Sequence, residues 1–134
     1  MSILGARLGL VAHGLLSLPP GARLRARYEH RTCALDGIQV TTGCTLGNGN
    51  IEVADGGRHR LLLAAEAGRP RALVELTPWA LEQGRTYAGL RKEAERLPEG
   101  SPERARIEER MERLLAVLET APDERVVSVL EVER

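Results

Sequence analysis

Phenylalanine is absent from the 134 residues, and Tyr28, Trp79 and Tyr87 are the only aromatic side chains. The core must therefore be built from Leu, Val, Ile and Ala, and no row of rings exists to stack the bases of a single-stranded nucleic acid. Net charge is absent too, with nineteen basic residues against nineteen acidic ones. That removes the general electrostatic case for nucleic acid or an acidic membrane surface as a partner. No stretch reaches the roughly eighteen apolar residues of a membrane span. The apolar segment Met1–Leu18 is interrupted by Arg7 and lacks a basic start and a small-residue cleavage pattern. It sets the expectation of no signal peptide, a cytoplasmic location and reduced thiols. Only two cysteines occur, and no C-x-x-C, H-E-x-x-H or Gly-Lys-Ser/Thr sequence is present. The usual zinc-finger, metalloprotease and phosphate-loop patterns are thereby excluded. The length suits one domain, 1–134, with a core that needs no staples.

What is present reads as alternating elements. Leu4, Leu8, Val11, Leu15 and Leu18 fall at helical spacing, so a helix capped by Ser2 and ended by Pro19-Pro20-Gly21 is expected. Gly5 and Gly9 on it would let another backbone approach, such as that of a symmetry mate. Arg23–His30 alternates as a half-buried strand. A short helix follows from Thr32 or Cys33 to about Thr42, stopped by Gly43. After a loop, Ile51–Ala54 and His59–Glu66 read as a hairpin about Asp55-Gly56-Gly57, and Arg71–Leu76 as a third strand. Thr77-Pro78 and Ser101-Pro102 each place a cap before a proline at the first helical position. The second helix carries an apolar stripe of Ile107, Met111, Leu114, Leu115 and Leu118, and Arg125–Val132 closes as a strand. The order α-β-α-β-β-β-α-α-β predicts an α+β domain, a mainly antiparallel sheet packed with helices, with 78–120 as a charged helical hairpin.

Chemistry concentrates in Thr32–Asn50. Cys33 stands at a helix N-terminus, where unpaired amides and the helix dipole favour a thiolate. It is equally a small side chain suited to burial. Asp36, one turn on, is a ligand, a base or an orienting partner, or a first-turn acid that satisfies the dipole. Gln39, Thr42, Thr45 and Asn48 form a polar cluster that lines a cleft or pairs at an interface. Cys44 lies eleven positions beyond Cys33, about 16 Å along a continuous helix, too far for a shared metal or a disulfide in one chain. His30 adjoins Cys33 and is the best second ligand or base. His13 is expected half-buried near the apolar face of the first helix, and His59 on the surface.

The segment Cys33–Asn50, C-A-L-D-G-I-Q-V-T-T-G-C-T-L-G-N-G-N, resembles the central motif of the FmdE family, named for a component of formylmethanofuran dehydrogenase. That motif runs approximately Cys-x-x-Asp-Ala/Gly-Ile-Gln-x-x-x-Gly-Cys-Thr-x-Gly-Lys/Asn-Gly-Asn. The resemblance covers about Leu4–Leu76; the helices of 78–120 carry no matching pattern. It implies an α+β core, a homodimer, and a metal-containing site around Cys33, Cys44 and His30, with zinc suited to such ligands. The family's upstream Gly-His-x-Cys-Pro-Gly segment and the C-terminal zinc finger of some members have no counterpart here, and Asn48 stands where lysine is common.

Two readings follow. One is a metal- or ligand-binding accessory to molybdenum or tungsten redox metabolism, with Asp36, Gln39, Thr42, Thr45 and Asn48 in its cleft and an oxidoreductase protein as partner. The other is a non-catalytic homodimeric accessory domain that kept the fold and lost the site. Neither assigns a reaction.

Overall fold

The structure, a computed structural model, describes residues 2–134. The elements are α1 (Ser2–Leu16), β1 (Leu24–Tyr28), α2 (Ala34–Thr42), β2 (Ile51–Val53), β3 (Arg60–Ala65), β4 (Arg71–Leu76), α3 (Pro78–Glu95), α4 (Pro102–Thr120), the one-turn α5 (Asp123–Val126) and β5 (Val127–Glu133). This is the expected α+β class and order, with α5 added where the last strand was expected to begin. Arg125 belongs to that turn, its amide bonding Pro122 O at 3.0 Å and its guanidinium lying 4.2 Å over the Trp79 ring.

The five strands form one sheet in the order β2-β1-β3-β4-β5. Pairings are antiparallel except β1–β2, which are parallel. The expected hairpin between Ile51–Ala54 and His59–Glu66 is therefore not formed. The reason is α2. It returns the chain to the end of the sheet where β1 began, so β2 must run parallel to β1, as in a βαβ unit. The Asp55-Gly56-Gly57 turn then carries the chain across the end of β1, and β3 pairs with the opposite edge of β1. Gly57 takes a left-handed φ of 69° to make that turn.

Alternation sets the buried face. Leu24, Ala26 and Tyr28 of β1, Leu61 and Leu63 of β3, and Ala72, Val74 and Leu76 of β4 form one core with Leu4, Leu8, Ala12 and Leu16 of α1. Ser2 is the first described residue of α1 and lies within the helix rather than capping it. The partner of the small residues on α1 is not a symmetry mate but α2 of the same chain. A Cβ on Gly5 would strike the carbonyl of Ala34, and one on Gly37 would strike the backbone of Ser2 and Ala6. Glycines at these two positions let the helices pack backbone to backbone.

Thr77 and Ser101 cap α3 and α4 as expected, accepting from the amides of Ala80 and Arg104. Leu90 and Ala94 of α3 pack with Ile107 of α4 in a small second core. Leu118 at the far end of α4 is fully buried in the main core, which ties the hairpin to the sheet. No helix among the described residues is long and apolar enough to cross a membrane.

Candidate functional site

The two ends of α2 place the two cysteines in different surroundings. Cys33 is the N-cap residue, with helical φ and ψ, and is exposed. Beyond the other end, Gly43 takes a left-handed φ of 74° and its amide bonds Gln39 O, as its place at the helix stop predicts. Cys44 follows and is 1% exposed, packed in the main core. Burial pushes its thiol above the usual range, partly offset by the Thr42 hydroxyl. The reading as a packed small side chain therefore applies to Cys44, and not to Cys33.

The polar cluster of the motif is engaged in building the loop. The Gln39 Oε1 accepts from the amide of Leu46 at 2.9 Å. The buried Thr42 hydroxyl donates to Ile38 O at 2.7 Å and accepts from the amide of Cys44. Asn48 Oδ1 accepts from the amides of Thr45 and Asn50, and its Nδ2 donates to Gly43 O. Thr45 Oγ1 accepts from the amide of Asn48. The loop thereby delivers Asn50, whose carbonyl accepts from Ala26 at 2.9 Å, into the β1–β2 pairing.

Cys33 instead borders a cavity of about 570 Å³ between the N-terminal ends of α1 and α2, the start of β3 and the flank of α3. His30, His59, Arg58, Arg85 and Glu75 line it, with Leu4, Leu76 and Leu81 as apolar wall. Cys44, Gln39, Thr42, Thr45 and Asn48 are not among its lining residues. Asp36 is exposed and lines an adjoining depression with Cys33, Tyr87 and Arg91.

His59 is the residue that the sequence reading placed wrongly. It is half-buried rather than on the surface, with its ring centroid 4.6 Å from that of His30. The cause is strand register. Tyr28 pairs with Leu61, so two residues on, His30 stands opposite His59. The β1–β3 pairing was the signal needed, and the expected hairpin hid it. His13, in contrast, is exposed rather than half-buried.

Beneath the pair, the Tyr28 hydroxyl lies 2.6 Å from His59 Nδ1. Tyr28 is fully buried, which raises its pKa strongly and keeps the hydroxyl protonated. Burial, then repulsion from His30 and Arg85, lowers the pKa of His59. The imidazole is thus neutral at pH 7. When Tyr28 donates to Nδ1, the proton of that neutral ring sits on Nε2. The opposite tautomer, with Nδ1–H donating to the phenol oxygen, frees the Nε2 lone pair for a metal.

One thiol and two imidazoles are the donor types that zinc prefers. Their number is short, because among the described residues no group of three or more His, Cys, Asp or Glu is gathered closely enough to hold an ion. In any metal complex of a single chain, Cys33, His30 and His59 would supply the protein donors only after small side-chain shifts.

Fold and site together define a small α+β domain in which a βαβ crossover helix presents a cysteine to a histidine-lined cavity. The chain belongs to the FmdE family, described as "FmdE, Molybdenum formylmethanofuran dehydrogenase operon", whose model matches residues 1–128. The match includes the helical hairpin of 78–120, beyond the limit set by the motif resemblance. Among solved structures, an FmdE-like protein of tungsten formylmethanofuran dehydrogenase from Syntrophus aciditrophicus superposes with a TM-score of 0.60. It is 22% identical, and the likeness covers 99% of this chain and 63% of that one, which supports the fold. A probable S-adenosyl-L-methionine-binding protein of Archaeoglobus fulgidus is 35% identical over 66 residues. That match covers 45% of this chain and only 18% of the curated relative.

Proposed function

We propose that this FmdE-family domain binds a metal ion or small ligand in the cavity bordered by Cys33, His30 and His59. Its role is that of an accessory to molybdenum- or tungsten-dependent redox metabolism, working as a homodimer beside an oxidoreductase protein. The observation that carries the reading is the convergence of an exposed thiol, two imidazoles and the Arg85 guanidinium on one cavity with a partly apolar wall. A volume of that size suits a small organic ligand, with a few polar groups to orient it. Zinc is the ion that best suits the thiol and imidazole donors. The family's association with a dehydrogenase operon supports the accessory role and the oxidoreductase partner.

Elemental analysis of the purified protein, with a zinc titration of wild type, Cys33→Ser and His59→Ala, tests the reading. Stoichiometric metal that falls in both variants supports it. S-adenosyl-L-methionine is the first organic probe to add, because a relative carries that description. Histidine side-chain NMR then reports whether His30 and His59 respond.

The second reading is a non-catalytic homodimeric accessory domain. It is favoured by the hydrogen bonds of Gln39, Thr42, Thr45 and Asn48, all of which close on the loop itself. Absence of metal and of any ligand response, with dimerisation intact, selects this reading over the first.

A further inference from the structure

The face of the sheet opposite α1 is uncovered, and its side chains form an ordered charge pattern. Reading across paired strands, one row is Arg27 (β1), Leu62 (β3), Leu73 (β4) and Glu131 (β5). The next row is Arg25, Ala64, Arg71 and Glu133. Basic residues stand on β1, acidic ones on β5, and two half-buried leucines lie between. Leu62 and Leu73 line two shallow depressions, one with Arg71 and Glu131, the other with Arg27 and Arg60.

We propose that this face docks a second copy of the chain, with the two-fold axis running along the strands between β3 and β4. The inference deepens the homodimer half of the proposed function and rests on it. Rotation about such an axis reverses the strand order. It sets β1 over the partner's β5 and β3 over the partner's β4. Arg27 then faces the partner's Glu131, Arg25 the partner's Glu133, and Leu62 the partner's Leu73. In the row beyond, Arg60 faces the partner's Glu75. A two-fold axis across the strands would instead stack β1 on β1, arginine against arginine, so charge selects one of the two arrangements.

Sheets stack about 10 Å apart and within about 30° of parallel, so rows near the axis stay in register and Arg and Glu side chains span the gap. The charges available also agree. Arg25 and Arg27 are exposed and form no ion pair among the described residues. Glu131 sits beside Glu133, whose hydrogen bond and charge push its carboxyl above the usual range. A cation from a second copy relieves that crowding. The leucine pair at the centre supplies the dry contact that an interface of this kind needs.

Sedimentation velocity of the full chain over a range of concentrations tests the proposal. Wild type is expected to dimerise. Arg27→Glu alone and Glu131→Arg alone each oppose like charges twice, and each is expected to weaken the dimer at least about tenfold. Mixed one to one, the two variants match both contacts and are expected to form a heterodimer. That recovery also shows that each variant is folded. Leu62→Asp is expected to yield monomer, with a far-UV circular dichroism spectrum like that of wild type. Single variants that remain fully dimeric, or a mixture no more associated than its components, overturn this face while leaving a homodimer through another surface. A wild type that stays monomeric overturns the docking and the homodimer together, but leaves the ligand cavity to its own metal titration.

Discussion

The two ends of α2 carry the same residue type to opposite fates. At the N-terminal end, Cys33 is exposed at a cavity beside two histidines and an arginine that makes no ion pair among the described residues. At the C-terminal end, Cys44 is sealed in the core beneath a loop whose polar side chains bond one another. One motif thus contains a chemical half and an architectural half. The architectural half explains how the chemical half is held. It fixes the exit of α2 and the start of β2, and the resulting parallel β1–β2 pair leaves the other edge of β1 free for β3. Only then does His59 come to face His30.

The largest expected effect comes from the contact that holds α2 in place. Gly37→Val drives side-chain atoms into the backbone of α1 and is expected to cost about 3 kcal/mol or more, measured by urea unfolding. Next is the core cysteine. Cys44→Ser buries a hydroxyl in the main core and is expected to cost about 2 kcal/mol, whereas Cys33→Ser stays within about 0.5 kcal/mol. Comparable losses at both positions would break the contrast between the two ends. Tyr28→Phe leaves His59 Nδ1 without its partner and is expected to cost about 1 kcal/mol. Nitrogen NMR of His59 should also show the proton on Nε2 in wild type and a mixture of tautomers in the variant.

Thiol chemistry sharpens the same contrast without a stability measurement. In the native protein one thiol, Cys33, is expected to react promptly with a small disulfide reagent, and Cys44 only on unfolding. Equal rates for both would remove the distinction. The smallest effect is on pH dependence. The folded-state pKa of His59 lies below its ordinary value of 6.5. Between the two values the unfolded chain binds more protons than the folded one, so stability falls as pH drops below about 6.5. His59→Gln should flatten that part of the stability profile, and an unchanged profile would remove His59 as its source.

Much of the fold was legible locally. Thr77-Pro78 and Ser101-Pro102 announced two helices, and Gly43 a helix end, because caps and left-handed glycines act within a few residues of themselves. The strands were legible as segments, since Arg23–His30 and Arg71–Leu76 alternate in sequence as they do in space. Their pairing was not. Asp55-Gly56 is a turn signal that serves a hairpin and a crossing over β1 equally well, and nothing within the turn distinguishes them. Gly5 and Gly9 showed that a backbone approaches α1, but not which one.

The sequence by itself determined the class of the domain, its helix limits, the family motif and the special position of Cys33. Periodicity, capping and backbone sterics are local and are written residue by residue. The tertiary structure alone decided which edge of β1 is free, which glycines face α2, that Cys44 is sealed, and that His59 meets His30. Those follow from strand order and register, which arise from burying the whole core at once and have no local mark. The site is therefore a product of register: residues 30 and 59 become neighbours because Tyr28 pairs with Leu61.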